Sequence, residues 1–483
     1  MTTIKQMLEK YFLLLTMLLV PVAGWAGTSD CPVNPQWLTN PSLPTEVKKS
    51  GSDGSSTFCD FYQFSTQTFL YLMSPSGTAE LRNFQVQKNY PVLEFDDDSG
   101  SPGNACDSAI EGLTLLTHLA KTHSTSTGQA GGGATIYAQD GNVVYYDVRF
   151  NKSLCGLTGS AVEMQKQNLT NFPAGTMELK FAWKKLSASE IASNTFVTQK
   201  QVISGSAVTL GLMGMHVIVA TKDHPEFVWA TYEHKTNTPD CLPAGVQTDT
   251  QWTFASSKCT GELPDSADPK NACKFNQPPK NQTAPTGTPT NICRVHPYGT
   301  FSGDLKAAEN LTDIGDQNAG VLQLLNQSGT TASMKVLANY FNVGALWVSD
   351  IQQSSGGIGV PNERGSLRLA NSVAETDYQD VNLTSSFASN CFGCHNYIGT
   401  GERVNNNITS QALSHIFKDI KAGMGEVVDI TANKVIPNNA AAAAICGGAK
   451  GTCESNASYL KWNGNWTNIN SSAGSVCGCV LAQ

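Results

Sequence analysis

The sequence predicts an α+β protein: a β-rich N-terminal portion, a small helical segment, and a small disulfide-stapled C-terminal module. Three observations predict it. β-branched and aromatic runs cluster between residues 143 and 234. One pentapeptide, Cys391-Phe392-Gly393-Cys394-His395, is followed by an amphipathic stretch. Four cysteines, Cys446, Cys453, Cys477 and Cys479, crowd the end of the chain. With 483 residues, 40% of them hydrophobic, the chain is too long for one ordinary domain and can bury sizeable cores.

The N-terminus reads as an address. Lys5 and Lys10 precede an apolar run over 11–20 and then Pro21, with the small residues Gly24 and Ala26 placed for cleavage before Gly27. That is the pattern of a secretory signal peptide over residues 1–26. Its apolar core is shorter than the roughly 20 residues of a spanning helix. No later segment is apolar enough to span, so the chain after signal removal is expected to be soluble, periplasmic or secreted, without a transmembrane segment. Composition agrees, since only 14% of residues are charged where a soluble domain has about a quarter. A net charge of -8 excludes a general nucleic-acid binder, which needs a basic surface to neutralise phosphates. With 8 Trp, 13 Tyr and 19 Phe and no long charge run, disorder is excluded as the main state.

Residues 27 to about 130 carry short apolar clusters between Ser and Gly. Ile110, Leu113, Leu116 and Ala120 give an incomplete helical stripe over 106–123. Asp96-Asp97-Asp98 reads as a solvated turn, because it lacks the spacing of a Ca²⁺ loop. Gly131-Gly132-Gly133 reads as flexible linkage. Strand signals then dominate, over 143–150, 177–183, 215–220 and 226–234, and suggest an antiparallel unit. His216, His224 and His234 fall within it as a candidate substrate or metal site. No acidic spacing identifies a metal there, and structural histidines are the commoner outcome. Residues 277–290, rich in Pro and Thr, read as a linker or long loop whose base Cys273 and Cys293 can staple. Apolar stretches at 337–341 and 346–348 lead on toward the pentapeptide.

Cys391-Phe392-Gly393-Cys394-His395 has the C-x-x-C-H spacing of c-type haem attachment. Two thiols about one helical turn apart add to the two vinyl groups of one haem, and the adjacent His lies under the iron as proximal ligand. From this chain's Cys and His content, chance gives roughly 0.007 such pentapeptides. A thioredoxin-like pair needs a preceding buried strand, and 382–390 is polar instead. Zinc needs two further ligands of suitable spacing. Setting the two thiols aside leaves twelve of the fourteen cysteines, enough for six bridges in an oxidising compartment. For the sixth iron ligand two residues compete. Leu413, Ile416, Phe417 and Ile420 form a helical stripe that Ser410 caps. Met424 lies close to that stripe and His415 nearly opposite it, so an apolar face packed on haem favours Met424. His415 serves if the helix turns its other face inward, and an iron left open is the third arrangement.

The ordered series 144–151, 178–183, 216–222, 227–234 and 366–371, ahead of the haem motif, resembles a family of exported bacterial monohaem c-type cytochrome proteins of poorly defined role. The resemblance covers about residues 105–430. It implies a haem protein, and a Ser-His-Ile-Phe-like stretch after the motif, matching Ser414-His415-Ile416-Phe417, gives weight to His415. Where relatives commonly carry Met, this chain has Ala374. Residues 431–483 are similar to small mannan-binding lectin modules, departing at Ser472-Ala473-Gly474. Trp462 and Trp466 can offer aromatic faces to a sugar, with Asn463 and Asn465 as polar partners; a tail that only stabilises the chain end is the alternative.

The expected organisation is thus a signal peptide (1–26), a β-rich region ending in the linker (27–290), a c-type haem region holding a small helical haem segment (291–430) and a cysteine-rich lectin-like module (431–483). The expected function is one-electron transfer to an unidentified redox partner protein. The alternatives are a haem-dependent periplasmic oxidoreductase with its substrate in the β-rich portion, or a glycan-binding exported haem protein.

Overall fold

A computed structural model describes residues 30–77, 81–86, 88–92, 135–157, 171–203, 206–241, 251–257, 259, 273–278, 286–349, 362–376, 379, 390–395, 413–414, 416, 428–448, 450–456, 460–470 and 474–481. The signal-peptide reading, the 106–123 helix, Asp96-Asp97-Asp98 and Gly131-Gly132-Gly133 lie outside them.

The centre is a seven-stranded antiparallel sheet. Its strands are β1 (Val144–Phe150), β2 (Met177–Lys185), β3 (Thr198–Ile203), β4 (Ser206–Val219), β5 (Val228–His234), β6 (Tyr340–Val348) and β7 (Glu363–Gly365). They run in the order β1-β2-β4-β5-β6-β7, with β3 paired to the first half of β4. β1, β2, β4 and β5 fall on the four strand signals. Strands from both sides of residue 290 share the sheet, because β6 pairs with β5 from His234↔Tyr340 to Trp229↔Leu346.

Alternating side chains give the sheet two faces. One carries Leu179, Phe181 and Trp183 of β2, Met215 and Val217 of β4 and Tyr232 of β5. Helices α1 (Phe58–Met73) and α2 (Ala307–Leu325) cover it. Thr57 caps α1 in a reciprocal capping box with Asp60, satisfying two backbone N–H groups at the helix start. Phe61 stacks on Trp347 with centroids 3.8 Å apart, and Phe69 on Tyr232 at 3.9 Å. Arg149, fully buried on β1, pairs with Asp147 at 2.6 Å and lies over the stacked rings of Phe84 and Phe181.

The other face carries Val148 and Phe150 of β1, Ile218 of β4, Trp229 of β5 and Leu346 of β6. A five-residue helix, α3 (Cys391–His395), covers part of it through Phe392, together with Leu413 and Ile416.

Five disulfides occur among the described residues: Cys31–Cys59, Cys241–Cys293, Cys259–Cys273, Cys446–Cys477 and Cys453–Cys479. The expected staple between Cys273 and Cys293 is corrected, since each bonds instead to the 241–259 arm. The cause is a backbone pairing: Asp240 bridges Arg294 in parallel, and the Cys241 N–H donates to the Arg294 carbonyl at 2.7 Å, which sets Cys241 beside Cys293. Residues 286–290 are also packed rather than a free linker. Thr286 forms a β-bridge with Asn142, and Gly287 lies so close to the Tyr137 ring that a Cβ there would approach it to 2.6 Å.

The C-terminal module is a three-stranded antiparallel sheet of β8 (Val428–Thr431), β9 (Leu460–Asn470) and β10 (Gly474–Leu481), ordered β8-β10-β9. Helix α4 (Asn439–Cys446), capped by the Asn438 side chain, and α5 (Thr452–Asn456) accompany it. Cys477 and Cys479 of β10 bridge to Cys446 and Cys453, tying both helices to one strand. Among the described residues no helix is long and apolar enough to cross a membrane.

Thr57→Ala removes the α1 cap oxygen and leaves the Asp60 N–H without it. Stability should fall by about 1 kcal/mol, read as a lower urea midpoint at unchanged slope.

Candidate functional site

The pentapeptide forms the single turn α3 on the second sheet face. Phe392, 2% exposed, meets the Trp229 indole edge-on at 5.6 Å. The His395 ring lies 4.5 Å from the same indole, tilted by 60°. Cys391 packs half-buried against this cluster. For Cys394 only the helical backbone is described.

Hydrogen bonds fix the turn on the sheet. Asn390, the residue before the motif, donates Nδ2 to Glu363 Oε2 at 2.6 Å and to the Leu367 carbonyl at 3.0 Å. On the far side, His395 Nδ1 donates to the Leu413 carbonyl at 2.5 Å. A neutral imidazole with its proton on Nδ1 has its lone pair on Nε2. Metal-binding histidines commonly use this tautomer, oriented by a carbonyl or carboxylate behind the ring. Leu413 and Ile416 enter the apolar cluster, and Ser414 Oγ between them donates to Glu178 Oε1.

Two buried acids thus border the motif. Glu178 stands on β2 opposite Phe150 and Ile218; burial pushes its carboxyl up to about 7, with the Ser414 bond opposing. Glu363 stands on β7 opposite Val348; burial pushes it up to about 6 against the Asn390 bond and the charge of Arg368.

The structure does not bring His216, His224 and His234 together. On β4, His216 lies 2.8 Å from Glu375 Oε1, a contact close in distance but poorly aligned as a hydrogen bond. Burial would raise the Glu375 carboxyl, yet His216, Lys180 and the Asn371 N–H together hold it below its ordinary value. His224, in the β4–β5 turn, contacts Glu226 through Nδ1 at 3.0 Å and meets the Phe61 ring at 4.8 Å. His234, at the end of β5, stacks on Phe196, hydrogen-bonds Thr236 and the Thr195 carbonyl, and is lowered to about 4 by burial, so it is neutral at pH 7. By strand alternation it shares the helix-covered face with Tyr232, whereas His216 lies on the face of Ile218.

His415 and Met424 lie outside the described residues. In the C-terminal module Trp466 pairs across from Cys477 and Trp462 from Cys479, and both rings pack, half-buried, on the cysteine cluster. Among the described residues no group of three or more His, Cys, Asp or Glu is arranged to hold a metal ion.

Sequence reasoning located the motif but missed Trp229, Glu178, Glu363 and Asn390 as its neighbours. Their relation to it is tertiary, and only the polar Asn immediately before the first Cys gives a local hint. No family model, curated protein or solved structure matches this chain.

The raised carboxyl of Glu178 has a definite signature. Its ordinary value of 4.5 rises to about 7 in the folded chain, so between these values the folded state binds the proton that the unfolded state has released. Stability therefore falls as pH rises through that window and levels off above it. Glu178→Gln should remove this contribution and gain roughly 3 kcal/mol on the wild type above the window. Urea unfolding of both proteins at the two ends of the window checks it; an unchanged difference at both ends would contradict it.

Proposed function

We propose that the chain is an exported monohaem cytochrome c, with haem held covalently by Cys391 and Cys394 and His395 as proximal iron ligand. The observation that carries this reading is the His395 ring, whose Nδ1 proton is tied to the Leu413 carbonyl beside an apolar wall. These residues fit haem, which needs apolar surfaces for its macrocycle and an oriented imidazole for its iron. Bound there, haem supplies a one-electron iron(III)/iron(II) couple. Trp229, Phe392, Leu413 and Ile416 keep water from the ring, and Asn390 holds the start of α3 on the sheet. His415 and Met424 remain the sixth-ligand candidates. One-electron transfer to a partner protein asks for no catalytic base or nucleophile. Five disulfides support an oxidising, extracytoplasmic compartment.

The test is the absorption spectrum of protein exported alongside haem-attachment machinery, taken on the folded ferric protein for ligation and again after denaturing extraction for covalent attachment. Haem should stay with the wild-type polypeptide and be lost from the Cys391→Ala/Cys394→Ala double variant. A low-spin ferric spectrum with the weak red charge-transfer band of Met ligation assigns Met424, low-spin haem without it assigns His415, and high-spin haem marks an open iron. No covalent haem on the wild type overturns the proposal.

A further inference from the structure

The short stretch Leu413-Ser414 is held from two directions. The Leu413 carbonyl receives the His395 Nδ1 proton, and Ser414 Oγ donates to Glu178. Only the Leu413–Ser414 peptide link and the Ser414 side chain separate these bonds. Glu178 is set by the sheet, opposite Phe150 on one side and Ile218 on the other, and is 5% exposed. It belongs to a strand more than two hundred residues earlier in the chain, so local backbone geometry does not explain the contact.

We propose that Glu178 is a positioning residue for His395: through Ser414 it fixes the Leu413 carbonyl that holds the imidazole proton, and so sets how strongly the ring donates to iron. This rests on the cytochrome reading above. A firm Nδ1–H···O=C bond shifts electron density toward Nε2 and makes the ring a better donor. A better donor favours iron(III) over iron(II), which lowers the potential. Losing the Ser414–Glu178 bond frees the carbonyl, weakens its hold on the ring and moves the potential up. A carboxyl that merely filled space would behave differently. If Glu178 only filled space, Glu178→Leu, which keeps a similar volume without burying a polar group, would leave the potential unchanged.

The experiment is spectroelectrochemical titration of the holoprotein as wild type, Glu178→Gln, Glu178→Leu, Ser414→Ala and the Glu178→Leu/Ser414→Ala pair. Working at about pH 5, below the ionisation of Glu178, keeps the charge the same across the series. Glu178→Leu and Ser414→Ala should each move the midpoint potential positive by similar amounts. The pair should move it no further than either alone, since both remove one interaction. Glu178→Gln keeps an acceptor oxygen on the same strand and should retain the wild-type potential. Ser414→Ala deletes one hydroxyl and remains informative if Glu178→Leu fails to fold. Wild-type potentials in the leucine and alanine variants, with covalent haem retained, would overturn the proposal. So would a glutamine variant displaced as far as the leucine one. Failure of the cytochrome reading is distinct, because the wild type itself would then carry no haem.

Discussion

Everything around the pentapeptide depends on two carboxyl groups that have been taken out of water. A buried acid must find a donor or carry the cost of desolvation. On this sheet face the donors come from the residue just before the motif and from the stretch that packs on it: Asn390 for Glu363 and Ser414 for Glu178. The apolar contacts of Phe392, Leu413 and Ile416 supply attraction without direction. The two hydrogen bonds supply direction, and they lock the turn in one register against Trp229. His395 inherits its orientation from that register, since the carbonyl it faces belongs to the residue before Ser414.

The opposite face is organised by aromatic stacking. Phe61 on Trp347 and Phe69 on Tyr232 set α1 against β5 and β6. The same two strands present Trp229 and Leu346 to the other side. The wall behind His395 is therefore braced through the sheet by a helix with no part in the site, and disturbance of α1 reaches Trp229 through one strand.

How much of this was legible in the sequence follows from how local each signal is. β1, β2, β4 and β5 were legible because β-branched and aromatic runs are read residue by residue. The pentapeptide was legible because its C-x-x-C-H spacing lies within five consecutive residues. α1 was missed because it is buried almost all round, including Phe58, Phe61, Tyr62, Phe64, Leu70 and Met73, so no single stripe stands out; its capping box was the available clue. α2 was missed because buried Asn310, Asp313 and Gln317 interrupt its apolar pattern. Glu178 and Lys180 alternate with Leu179 and Phe181, which reads as a solvated face. That face is covered by residues from more than two hundred positions away, and periodicity carries no record of them. The cysteine pairing was hidden for the same reason, since a parallel bridge between Asp240 and Arg294 decides it.

The pairing of β5 with β6 joins His234 to Tyr340, about a hundred residues further along the chain. As the polypeptide emerges from its N-terminus, β5 is a bare edge until that long interval has been delivered. Exposed edges of this kind invite pairing with other chains, so the nascent protein passes through a sticky stage. Trp229 sits on that same edge strand, and the surface that receives α3 is complete only once β6 and β7 have arrived. Assembly of the motif on the sheet is therefore a late event, and a chain cut short before β6 would be left with an unprotected template for aggregation.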